Sequence, residues 1–141
     1  MSKNLSIFLF IVGTFAFAQE KHPTLTDIVT DNAHIFSQTE LQKLSKKLTD
    51  FERETTDQIA VLTIEKLEKE TIEHFGYKTF EANRLEQDKD NGLLIIVSEK
   101  NREVRIEVGN GLEPYITDAI VSRIIRQSLN RTLKKMIITK A

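Results

Sequence analysis

Hydrophobic and polar residues alternate along this chain with periods that change from segment to segment, and the changes mark its elements. Ser37-Gln38-Thr39-Glu40 has the form of a capping box, in which a Ser hydroxyl and a Glu carboxylate satisfy amide donors of a first helical turn. Phe36 and Leu41 flank it as a hydrophobic staple, and Leu41, Leu44, Leu48 and Phe51 recur at intervals of three and four. This predicts a helix to about Glu54 with one apolar stripe. Gln58–Ile64 is a continuous, largely β-branched run, the pattern of a strand covered on both faces. A second helix is predicted from Thr71, with Ile72, Phe75 and Phe80 inward. After a polar, acidic stretch from Glu86 to Asn91, Gly92–Ser98 reads as a second buried strand. Val104, Ile106 and Val108 then alternate with Glu103, Arg105 and Glu107, predicting a third strand exposed on one face. The link between these two strands is too short for a crossover, so they form an antiparallel hairpin. Gly109-Asn110-Gly111 ends it. Pro114 opens or precedes a last helix that carries Ile116, Ile120, Ile124 and Ile125 inward. Helix, strand, helix, hairpin, helix is the order of an α/β domain with helices layered on a small sheet.

The N-terminus follows a different logic. Lys3 precedes an apolar run from Leu5 to Phe17, interrupted by Ser6, Gly13 and Thr14, and Ala16-Phe17-Ala18 follows. That is the pattern of a secretory signal, with cleavage expected after Ala18 and a secreted or periplasmic product. The run is short of the roughly 20 apolar residues that span a bilayer, so no transmembrane anchor is expected from it. Removing 1–18 leaves roughly 120 residues, one domain's worth, preceded by a flexible lead-in over 19–26. The mature chain becomes one unit more acidic than the net −1 of the full sequence, because Lys3 is the one charge lost.

An acidic balance argues against nucleic acid as a partner. The chain holds no cysteine, so its core must hold the fold unaided, and thiolate metal sites are excluded. Six basic residues and no acidic one stand between Arg123 and Lys140, a run that reads as a solvated helix face in preference to a lipid-binding tail. His22, His34 and His74 stand apart from one another in sequence. Gly109-Asn110-Gly111 lacks the third glycine of a dinucleotide loop, where Pro114 stands. Asp88-Lys89-Asp90-Asn91-Gly92 fails the spacing of an EF-hand. There is no Gly-x-Ser-x-Gly elbow.

One corner keeps its chemistry. The hairpin sets Asp90-Asn91-Gly92 beside Gly109–Glu113, so Asp90, Asn91, Glu113 and the nearby Asp118 bring side-chain oxygens to glycine-bearing turns. Carboxylate, amide and main-chain oxygens are the donors that calcium takes. The same residues also serve as ordinary turn formers.

Val29–Ala33, Gln58–Val61, Asp90–Ile95 and Val104–Glu113, in that order, resemble the TPM domain family of thylakoid-lumen, photosystem-repair and bacterial envelope proteins. The resemblance runs from Asp27 to Asn130. It implies a three-layer α/β/α sandwich with a small mixed sheet, in an extracytoplasmic compartment. It further implies either divalent-metal binding, calcium first, or acid phosphatase activity on phosphomonoesters. A structural interaction module without metal is the third reading. Carried over by position, the metal residues are Asp31, Asp90, Asn91, Glu113 and Asp118. For a phosphatase the chain offers these carboxylates and Arg105, which is equally a solvent-face strand residue, and no local signature separates the two roles. Partners would be envelope or membrane proteins of a monomeric domain. Two stretches depart from the family pattern. Asn83-Arg84-Leu85 replaces an aromatic after the second helix, and 131–141 diverges. Relatives continue there with something like Lys-Lys-Asn-Asp-Tyr-Tyr-Lys. Deleting one A from its coding A-run yields Lys-Lys-Met-Ile-Ile-Thr-Lys, the sequence at Lys134–Lys140, so the tail reads as frameshifted and Met136–Ala141 is expected to pack poorly.

Overall fold

A computed structural model describes residues 22–83, 85 and 91–139, without the side chains of 129–139. Four strands form one sheet in the order β1 (Val29–Asp31), β2 (Gln58–Ile64), β3 (Gly92–Ser98), β4 (Glu103–Val108). β1, β2 and β3 run parallel and β4 antiparallel to β3. Between them lie α1 (Gln38–Thr55) and α2 (Ile72–Ala82), and α3 (Asp118–Thr139) follows β4.

Strand alternation sorts the core into two faces. Ala60, Leu62 and Ile64 of β2 and Leu94 and Ile96 of β3 meet Ile72 and Phe80 of α2. On the other face Leu93 and Ile106 meet Val121 of α3, with Ile59, Ile95, Val108 and Ile125 packed around them. The helices α2 and α3 therefore sandwich the sheet, and α1 packs against β1 and β2. Leu62, Leu94 and Ile96 are wholly buried, each stabilising the fold by about 1.5–3 kcal/mol relative to exposure.

The local signals mostly translate directly. The capping box is formed: the Glu40 amide donates to Ser37 Oγ at 3.3 Å and the Ser37 amide to Glu40 Oε2 at 2.8 Å. Thr71 caps α2, accepting from the His74 amide. Three features differ from expectation. First, β1 is a strand that the sequence did not announce, since three residues carry no period. Second, the lead-in is fastened from Pro23 to Leu25: the Leu25 amide donates to Asn83 Oδ1 at 2.8 Å, and Asn83 Nδ2 donates to the Pro23 carbonyl at 3.0 Å. Third, α3 begins at Asp118, a short turn after Pro114, and of the residues expected inward Ile116 and Ile125 do pack on the core while Ile124 does not. Val121 is the buried residue and Ile124 is 44% exposed. Phe51, expected in the α1 stripe, is likewise 38% exposed. The expectation for Met136–Ala141 concerns side chains outside those described.

Two glycines sit at close approaches of different kinds. A Cβ on Gly92 would stand 2.0 Å from the Leu85 carbonyl oxygen, a backbone atom that cannot swing aside. A Cβ on Gly76 would stand 2.8 Å from Glu107 Oε1, the end of a flexible side chain. Gly92→Ala is therefore expected to destabilise the fold by about 3 kcal/mol, as overpacking does. Gly76→Ala should come out within about 1 kcal/mol of neutral, because alanine's helix propensity offsets the displaced carboxylate. Urea denaturation of the two variants checks the contrast; equal losses would refute it.

Candidate functional site

Chemically capable residues gather at the two ends of the sheet and along its β4 edge. At the carboxyl end of the parallel strands, Asp31 closes β1. Its Oδ1 accepts from Thr63 Oγ1 and from the Ile35 amide, and its Oδ2 from the Phe36 amide at 3.1 Å. Thr63, wholly buried, also accepts from the Ala33 amide at 3.1 Å. Burial pushes the Asp31 carboxyl up, but the Thr63 hydroxyl, the Phe36 and Ile35 amides and nearby His34 together hold it below the usual carboxylate range. Asp31 thus ties β1, β2 and the approach to α1 together.

At the amino end, the Gly109 amide donates to the Gly92 carbonyl at 2.8 Å, so the two glycine corners meet as the hairpin requires. Asn91 leans away from β4. Its amide nitrogen donates to the Thr56 carbonyl at 2.5 Å and to Asp57 Oδ1 at 3.3 Å, while its side-chain oxygen accepts no hydrogen bond among the described residues. Asp90 lies outside the described residues. Glu113, in the turn after β4, and Asp118, opening α3, are both exposed. They line one groove of about 670 Å³ with Glu73, Arg105 and Glu107.

Arg105 Nε donates to Glu107 Oε1 at 2.7 Å. That bond, helped by the Glu107, Glu73 and Asp118 charges against partial burial, raises the Arg105 pKa further above its ordinary value. Its charge is already matched within the strand. Glu73 had no sequence signal: it reaches the groove only because α2 packs over β4. The histidines have local roles, His74 pairing with Glu70 at 2.6 Å and His22 standing edge-on to Phe75.

The five metal candidates do not form one set. Asp31 pairs in register with Thr63, whereas Gly92, next to Asn91, pairs with Gln58 at the other end of β2. Five residues of strand separate them, roughly 16 Å at 3.3 Å per residue, against calcium–oxygen distances of about 2.4 Å. Asp31 therefore cannot share an ion with Asn91. Among the described residues no three His, Asp or Glu side chains lie together to hold a metal.

The family model of the TPM domain matches residues 29–141, most of the chain. The chain belongs to the TPM domain family. Among solved structures, the N-terminal domain of a P. gingivalis protein is 29% identical, with a TM-score of 0.71, covering 78% of this chain and 71% of its own. The N-terminal domain of the cg2496 protein from Corynebacterium glutamicum is 19% identical, with a TM-score of 0.60 and coverage of 79% and 72%, and supports the fold alone. No curated protein matches. The TPM match runs through Ala141, including the stretch whose sequence diverges.

In this TPM domain Asp31 acts as a structural carboxylate. Asp31→Ala should destabilise by about 1–3 kcal/mol, since it strands the buried Thr63 hydroxyl and two amides. Because the folded pKa is depressed, the contribution is complete above the unfolded value of 3.8 and is lost as pH falls from there through the folded value. Asp31→Asn should therefore flatten the acid limb of a stability–pH curve below that value. An unchanged limb in urea titrations would refute the assignment.

Proposed function

We propose that this TPM domain is an exported binding module that takes a divalent cation, calcium by donor chemistry, and serves maintenance or assembly of envelope proteins. The observation that carries this reading is the Gly109–Gly92 hydrogen bond. It joins the segment bearing Asp90 and Asn91 to the turn bearing Glu113, with Asp118 at the head of α3. The donors on these segments are of the kind a hard cation takes: the exposed carboxylates of Glu113 in its turn and Asp118 at the head of α3, the Asn91 amide oxygen, and the carbonyls of a glycine-containing turn. Asp118 and Glu113 have no ion pair or hydrogen bond among the described residues, and the one charge acting on Asp118 there is that of Arg105 in the same groove. Asp90 would complete the set. Asp31 is not a member of it.

Export rests on the pattern of residues 1–18, which lie outside the described structure. Among the described residues no helix is long and apolar enough to cross a membrane.

Calcium in hundredfold excess over its dissociation constant should stabilise the protein by about 2.7 kcal/mol. Asp118→Asn should remove most of that shift. Asp31→Asn should keep it, although that variant starts from a lower stability. Thermal melts with calcium and with chelator test all three expectations, and an unchanged melting temperature in millimolar calcium overturns the proposal.

A further inference from the structure

We propose that the outer edge of β4 is a strand-addition site for an extended peptide segment that alternates basic and apolar residues. Among the described residues β4 pairs with β3 alone. Gly109 and Gly92 are opposite each other in the hairpin register and share a short hydrogen bond, which makes them a narrow pair. Antiparallel ladders alternate, so Glu103, Arg105 and Glu107 turn their main-chain groups to β3. Val104, Ile106 and Val108 turn theirs outward. Exposed strand edges are normally blunted by short length, by proline, by a bulge or by charged side chains, lysine above all. β4 reads Glu-Val-Arg-Ile-Glu-Val, with every residue in register, and its one cation is paired to Glu107.

The groove along this edge specifies the occupant. It straddles β4, with Glu73 of α2 on one side and Asp118, Val121 and Ile125 of α3 on the other. An added strand would send alternate side chains to the two faces. One row would meet Glu73 and Glu107, and the other would extend the apolar floor of Ile106 and Val121. On the α2 face Glu73 and Glu107 stand against the single Arg105, and the groove as a whole holds four carboxylates to one guanidinium, so the first row should be basic. A second copy of the chain fits less well, because its own edge would bring the same acidic excess face to face with this one. This surface does not require the cation corner, although Glu113 and Asp118 border both.

The test uses the purified protein in chelator and a blocked hexapeptide of alternating valine and lysine. Hydrogen exchange by NMR should show the amides of Val104, Ile106 and Val108 slowed by about tenfold or more when the peptide is present, as new ladder bonds form. The valine–glutamate counterpart should bind about tenfold more weakly, and so should the lysine peptide to Glu73→Lys, an exposed position that leaves the core intact. N-methylation of alternate peptide amides should abolish binding. Undiminished exchange at those three amides in millimolar peptide overturns the proposal, as does equal binding of the two peptides. Sedimentation as a dimer that Val104→Pro dissociates would also overturn it, in favour of self-pairing. Because chelator is present throughout, these outcomes do not depend on whether calcium binds.

Discussion

Parallel pairing of β2 with β3, residue by residue from Gln58–Gly92 to Ile64–Ser98, imposes most of what else this chain does. Parallel neighbours require a crossover, so α2 must leave the end of β2, traverse one face and return to the start of β3. Both strands are then covered on two sides, which is why they consist almost wholly of Leu, Ile, Val and Ala. The return of the chain brings Leu85 against Gly92, where no side chain fits. β4 comes back beside β3 by a tight turn, leaving the sheet with a short parallel edge at β1 and a longer antiparallel one at β4.

Legibility in the sequence followed the length and regularity of each signal. β2, β3 and β4 could be read to the residue because continuous apolar runs and strict alternation leave little freedom of register. The capping box announced α1 because its chemistry is local to four residues. β1 was silent, being three residues held mainly by pairing to β2 and by Asp31. In the last segment Ile116 and Ile125 are legible as inward residues, whereas the burial of Val121 and the exposure of Ile124 are not, because the consecutive apolar residues Ala119–Val121 and Ile124–Ile125 do not say which of them faces the sheet.

The site was half legible for a related reason. Hairpin geometry places Asn91 near Gly109 from sequence alone, because the link is short. The separation of Asp31 from that corner depends on strand direction, which no local pattern states. Glu73 reaches the groove through packing across the sheet, a relation between segments about 30 residues apart that periodicity cannot express. Asn83 looked like a departure from family pattern; in the structure its amide joins the lead-in to the end of α2, work that an aromatic side chain has no groups to do.

The odd-numbered residues of β4 have a further consequence. Glu103, Arg105 and Glu107 belong to neither core cluster, yet their backbones carry the ladder to β3. Gly76 brings α2 down over them without contributing a side chain of its own. Surface charge and sheet pairing are therefore written on different atoms of one strand. The charge pattern on that face can drift, invert or neutralise while the main-chain ladder and the valine–isoleucine floor stay as they are. A lineage of such domains can change the charges it presents along this edge without altering the ladder that holds the strand in place.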